Sequence, residues 1–336
     1  MIFLPILLIG ALLAYLFYFQ RKTPYGMLDF RPALMLHFLP KDRDIEIGKV
    51  RNMYDKLTAK KNAQDKINLK VVRDIEVPFE DRSVVCRLYD DHPDEERPII
   101  VFAHGGGWSI GSIATHERTA KKVCSATGYK VLSVEYSLAP EHPYPTALNE
   151  ISTVVEYVNN NHAEFNAAQE IMIMGDSAGG HLAITAAINL IEQGKELITK
   201  IIAVYPVIDT TNTETESYNN FEKGYFLTKR MMNEFIGYYA PDPDDRRLPL
   251  ASPNYYSDLG KLPDVYLITG QFDPLRDEGE SFAKALTDAG VDCTFRRYDG
   301  VIHGFFANPM FGSKGDGAVT DLADYLHANE TATTTT

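Results

Sequence analysis

The chain has 336 residues, 45% hydrophobic and 24% charged, with three cysteines and a formal net charge of −13. That composition excludes a disordered chain, a disulfide scaffold, a collagen, a coiled coil and a polytopic membrane protein. The charge is divided: Arg21 to Arg73 carries 13 basic and 6 acidic residues, net +7, and the remainder carries 20 and 40, net −20, an acidic body that excludes nucleic acid as a partner.

Met1 to Phe19 contains no charged side chain; as a helix rising 1.5 Å per residue it reaches about 28 Å, enough to span a bilayer. No Lys or Arg precedes the run and bulky residues close it, which favours a single uncleaved transmembrane anchor over residues 1–20 against a signal peptide. Arg21, Lys22 and Arg31 follow it, so the positive-inside bias puts the catalytic body on the cytoplasmic side; export by a cleaved signal is the alternative. Residues 21–69 then form a basic lid or linker segment. Ile47, Val50, Tyr54 and Leu57 recur at helical spacing and predict a helix over about 40–64. Its cations are those of a solvated helix face, or of a segment lying on anionic headgroups.

From there the pattern changes to short β-branched runs: Val71–Val77, Val84–Tyr89, Ile99–Phe102, Val131–Val134, Ile171–Met174, Ile201–Val204, Val265–Ile268 and Thr294–Tyr298. From the third onward helical stretches separate most of them. The prediction is an α/β domain over 70–329, a mostly parallel sheet covered on both faces. The polar gap at about 209–262, rich in Pro and Tyr, is too long for one loop and reads as a partly helical insertion. Its aromatics Tyr218, Phe221, Tyr225 and Phe226 read as the insertion's own core. The Thr-rich residues 330–336 read as a disordered tail.

Ligands on such sheets bind at the carboxyl ends of strands, and three of those ends carry chemistry. Ile171–Met174 leads into Gly175-Asp176-Ser177-Ala178-Gly179, a G-x-S-x-G ahead of a helical pattern, the arrangement that lifts a serine Oγ above a sheet on a tight strand-to-helix turn. Ile99–Phe102 leads into His104-Gly105-Gly106-Gly107-Trp108, where backbone N–H groups can meet an oxyanion. A phosphate cradle is excluded there, because no Walker lysine and no G-x-G-x-x-G spacing are present. Val265–Ile268 leads to Asp273, and thirty residues on lies His303. The chain order is Ser, Asp, His: Ser177 as nucleophile, His303 as general base and acid, Asp273 fixing the imidazole tautomer. Trp108 and Tyr205 follow strand ends and line a substrate pocket or pack at the sheet edge. The histidines, His104, His116, His142 and His181 among them, have no metal-ligand spacing, and His104 is expected to organise the glycine loop. The three cysteines lack metal or redox spacing and read as structural thiols, so no metal is expected, and a serine hydrolase with water as its second nucleophile needs no cofactor.

Together with Tyr136 to Pro145, Asp273-Pro274-Leu275-Arg276-Asp277-Glu278 and His303-Gly304-Phe305, these motifs resemble the hormone-sensitive lipase-like esterases of the α/β-hydrolase superfamily, a branch that includes arylacetamide deacetylase-like enzymes. The resemblance covers about residues 70 to 327. It implies an α/β-hydrolase fold of eight mostly parallel strands with the second antiparallel, flanked by helices under a helical lid. It also implies oxyanion amides at Gly105, Gly106 and Ala178, with Asp176 and Asp277 as support. Ser137 departs from it, standing where the family segment usually has Arg. The implied activity is serine carboxylic-ester hydrolysis through an acyl-enzyme, on a small-molecule or lipid ester; an amidase or deacetylase, or a catalytically silent binding fold, is the alternative. The oligomeric state is not legible.

Overall fold

The computed structural model describes residues 10, 11, 13–15, 18, 21–39, 41, 46–62 and 65–333. The proposed anchor lies largely outside them, and among the described residues no helix is long and apolar enough to cross a membrane. After a short antiparallel hairpin, β1 (Lys22–Thr23) and β2 (Gly26–Met27), come helices Phe30–Phe38 and Ile47–Asn62.

Eight strands follow: β3 (Val71–Phe79), β4 (Arg82–Asp90), β5 (Arg97–Ala103), β6 (Lys130–Val134), β7 (Ala167–Asp176), β8 (Lys200–Val204), β9 (Asp264–Phe272) and β10 (Cys293–Ile302). They form one sheet in the order β10-β9-β8-β7-β5-β6-β4-β3. β4 alone runs opposite to the other seven, so the second of the eight strands is the reversed one, as the resemblance implies.

The sequence pattern decides which strands lie where. β5 is an unbroken apolar run after Arg97, buried along its length, as a central parallel strand requires. Its Ile99, Val101 and Ala103 enter the core on one face while Ile100 and Phe102 enter the core on the other, the two-residue period of a sheet covered on both sides. β3 alternates exposed and buried residues from Asp74 to Phe79, as a half-covered edge strand does.

One buried ion pair ties the amino ends of this sheet. Lys130 on β6 is 0% exposed and its Nζ lies 2.6 Å from Asp90 Oδ2 on β4. Asp90→Ala leaves that ammonium buried without its counter-charge and is expected to cost about 3–5 kcal/mol; a loss below about 1 kcal/mol in urea unfolding would contradict this.

The insertion is partly helical, as expected, with helices Glu216–Asn220 and Lys229–Tyr239 and three short 3₁₀ turns. Thr215 and Thr228 cap the two helices by accepting from the amides of Tyr218 and Met231, satisfying donors that a helix start leaves open. Tyr218 and Phe221 are fully buried, but not in a core of the insertion's own: Tyr218 joins the main core on one face of the sheet and Phe221 the core on the other, its ring 5.8 Å from that of Phe272 on β9. The last helix, Lys314–Thr333, continues into the Thr-rich end of the chain; residues 334–336 lie outside the described ones.

Candidate active site

Ser177 sits between β7 and the helix Ala178–Glu192, with φ 56 and ψ −121, a conformation that a residue with a Cβ rarely adopts. The turn closes because its neighbours are small. A Cβ on Gly179 would lie 2.0 Å from the Ala103 carbonyl oxygen on β5, so only glycine lets the helix start this close to the sheet. The Ser177 N–H donates to the Val204 carbonyl at 2.8 Å, which ties the elbow to β8.

His303 follows β10 and Asp273 follows β9, so the sheet order brings both to the carboxyl end beside Ser177. His303 Nε2 lies 2.9 Å from Ser177 Oγ and Nδ1 lies 2.7 Å from Asp273 Oδ2. Asp273 is 0% exposed and its other oxygen accepts the Leu275 N–H at 2.9 Å. A carboxylate only accepts, so Nδ1 carries the proton it donates to Asp273, and Nε2 is left with a lone pair facing the serine hydroxyl. Tyr205 closes one side, its ring centre 4.7 Å from that of His303.

The glycine loop follows β5. Here the structure corrects one implied residue: the Gly105 N–H donates to Asp176 Oδ1 at 2.9 Å and is not available to an oxyanion. The next peptide is oriented differently. The Gly106 carbonyl accepts from the amides of Ser109 and Ile110 at 3.1 and 2.9 Å, and a trans peptide then turns the Gly107 N–H the opposite way. Gly106 has φ 130, and a Cβ there would meet the Ile110 carbonyl oxygen at 2.0 Å. Among the described residues the N–H groups of Gly106, Gly107 and Ala178 have no hydrogen-bond partner.

Buried groups beneath the loop hold it. Burial pushes the Asp176 carboxyl up, but His116, 3.5 Å away, and the Gly105 N–H outweigh it and keep the group below the usual carboxylate range. His104 is stacked between His116 and Tyr136 and its Nδ1 donates to the Gly105 carbonyl at 2.9 Å, while Tyr136 Oη donates to the His104 carbonyl at 2.6 Å. The organising role expected of His104 fits this geometry.

Trp108 and Tyr205 are packed rather than open to a ligand: they are 0% and 1% exposed. Trp108 stacks on Tyr239 of the insertion at 4.4 Å and its Nε1 donates to His181 Nδ1 at 3.2 Å. An indole N–H is a donor only, so His181 accepts at Nδ1 and donates from Nε2 to the Ala251 carbonyl. Burial pushes His181 down to about 4 and His104 down to about 3. Both folded values lie below the ordinary 6.5, so their contribution to stability is complete above about pH 6.5 and is lost as pH falls toward 4. His181→Gln keeps both hydrogen bonds without the titration, so its melting temperature is expected to fall less steeply than wild type between pH 6.5 and 4; equal slopes would contradict this.

Sequence reasoning missed two arginines. At Ser137, where the family segment usually has Arg, Glu150, fully buried, accepts from the Ser137 hydroxyl and amide at 2.7 and 2.6 Å and pairs with Arg82 on β4. The second, Arg51, bonds the loop bearing Ser109. Neither lies in a motif. Among the described residues no group of three or more His, Cys, Asp or Glu could hold a metal ion.

A family model described as the alpha/beta hydrolase fold matches residues 100–307. The chain is 31% identical over 268 residues to an arylesterase of Saccharolobus solfataricus, covering 79% of this chain and 86% of that one. It is 33% identical over 267 residues to the carboxylic ester hydrolase LipN of Mycobacterium tuberculosis, covering 77% and 70%. Among solved structures, an esterase of Pyrobaculum calidifontis superposes with a TM-score of 0.84 at 31% identity, over 90% of this chain and 99% of that one.

Proposed function

The chain belongs to the hormone-sensitive lipase-like esterases of the α/β-hydrolase superfamily, and from that membership we propose that it is a serine carboxylic-ester hydrolase working through an acyl-enzyme. The observation that carries this is the continuous hydrogen-bonded series Ser177 Oγ, His303 Nε2, His303 Nδ1, Asp273 Oδ2. Ser177 Oγ attacks the ester carbonyl carbon while its proton passes to His303 Nε2. The carbonyl oxygen becomes an oxyanion held by the N–H groups of Gly106, Gly107 and Ala178, with Gly107 taking the place first assigned to Gly105. Collapse of the tetrahedral intermediate breaks the ester C–O bond, and the imidazolium returns its proton to the departing alkoxide. Water then attacks the acyl-serine, gives its proton to Nε2, and the carboxylic acid leaves as Ser177 recovers its hydrogen.

The test is turnover of p-nitrophenyl esters from acetyl to palmitoyl beside the matching anilides. Ester turnover lost in Ser177→Ala supports the reading, and the chain-length profile measures the acyl pocket. A folded protein inert on every ester would contradict it.

We also propose that residues 1–19 anchor the chain in a bilayer with the catalytic body on the cytoplasmic side. Support comes from the uncharged apolar run followed by Arg21 and Lys22. It comes also from helical Leu13, Tyr15 and Tyr18, which are 61%, 57% and 50% exposed. In an alkaline carbonate wash, the full chain is expected to stay with membranes and a chain lacking residues 1–20 to be released; release of both would contradict an anchor.

A further inference from the structure

The helix Ile47–Asn62 lies against the rim of the catalytic domain, with Ile47 and Val50 packed on the core. From it Arg51 projects one guanidinium that joins two separate segments, the turn at Ser109 and the loop holding Ala139 and Glu141. Its Nε donates to the Ser109 carbonyl at 2.8 Å. One terminal nitrogen, Nη2, donates to the Ala139 carbonyl at 2.9 Å and to Glu141 Oε2 at 2.9 Å. The other, Nη1, donates to Glu141 Oε1 at 2.7 Å. Four hydrogen bonds converge on a planar, five-donor group, the use to which a guanidinium is suited and an ammonium is not.

What Arg51 holds matters because of where Ser109 stands. The Ser109 N–H bonds back to the Gly106 carbonyl, as does the Ile110 N–H; these two bonds set the plane of the peptide whose other end is the Gly107 N–H. The Ser109 carbonyl is the next handle along that turn. The Ala139 N–H also donates to the Trp108 carbonyl at 2.9 Å, so Arg51 grips the glycine loop directly at Ser109 and indirectly through Ala139.

We propose that Arg51 is a positioning residue for ester hydrolysis: from the N-terminal helix it fixes the glycine loop so that the Gly106 and Gly107 amides face the developing oxyanion. This rests on the assignment of those amides given above.

The Arg51 and Glu141 side chains are 27% and 56% exposed, so their charge attraction is screened and the contribution is chiefly geometric. The Arg51 hydrogen bonds also hold the Glu141 carboxyl down to about 2. Preorganised donors act on the transition state more than on bound substrate, so the change falls on kcat.

The experiment uses the full chain, with active serines counted by fluorophosphonate titration so that unfolded molecules are not scored. Arg51→Lys, which keeps the charge and loses the fork, is expected to lower kcat per titrated serine about tenfold with KM within about twofold. A trifluoromethyl ketone, whose serine adduct carries the same oxyanion, is expected to weaken by about the same factor. Adding guanidinium ion to Arg51→Ala is expected to restore part of kcat. Glu141→Gln, which leaves the Ser109 and Ala139 bonds in place, loses about threefold; it carries the test if the Arg51 variants do not fold. Lys49→Ala, on the same helix and 77% exposed, is expected to match wild type.

Unchanged kcat and unchanged ketone affinity in Arg51→Lys would overturn the proposal, as would a rise in KM alone. The serine reading fails separately: that outcome is activity surviving in Ser177→Ala, whatever Arg51 does.

Discussion

Asp273→Asn is expected to lower kcat for a p-nitrophenyl ester by about 10⁴-fold while leaving the protein folded. The loss does not come from a missing contact. Asn places an amide next to His303, and the orientation that keeps the Leu275 N–H satisfied at the side-chain oxygen turns an NH₂ toward Nδ1. Nδ1 must then accept, which moves the imidazole proton to Nε2, 2.9 Å from Ser177 Oγ. An Nε2 that already holds a proton cannot take one from serine. The developing imidazolium also loses its buried counter-charge, since Asp273 is 0% exposed and no water can substitute. Far-UV circular dichroism and urea unfolding separate this from misfolding. A loss smaller than about tenfold in a folded variant would mean that another group orients His303.

Ser177→Ala is expected to remove about 10⁶ of kcat, and adding His303→Ala to it is expected to remove nothing further, because residues that act as a unit do not contribute additively. Multiplicative losses in the double variant would contradict a Ser177 and His303 pair sharing one proton. The same position carries a stability signature. With φ 56 a Cβ is strained there, so Ser177→Gly is expected to be about 1 kcal/mol more stable than Ser177→Ala though equally inactive. Equal stability would show that the turn is not strained at this residue.

The parts legible from sequence are those written in local patterns. Eight apolar runs became eight strands because β-branched residues bounded by turn residues leave few alternatives, and the helices between them required parallel crossovers. Ser177, Asp273 and His303 are far apart in the chain, yet each follows a strand, and the sheet order gathers strand ends at one place.

What escaped was decided by contacts between distant residues or by backbone direction. Three consecutive glycines do not state which amide faces the site. That depends on φ 130 at Gly106 and φ 57 at Gly107, and on the Asp176 carboxylate occupying the Gly105 N–H. Arg51 lies 58 residues from Ser109 and Arg82 lies 68 residues from Glu150, distances at which no periodicity survives. Trp108 reads as a pocket residue until Tyr239 arrives from the insertion and covers its face. The insertion was legible as one because its length and polarity exclude a simple loop, but where its two helices begin depends on the Thr215 and Thr228 caps, which resemble many other threonines in the segment.

The central claim is that Ser177 is the nucleophile, activated by His303. Covalent labelling tests it most directly: incubate the full chain with a fluorophosphonate, digest it, and locate the adduct by mass spectrometry. The expected result is one phosphonyl group per folded chain, on Ser177, with labelling lost in Ser177→Ala and slowed by several orders of magnitude in His303→Ala. An adduct on another residue, or a folded chain that Ser177→Ala leaves equally labelled, would contradict it.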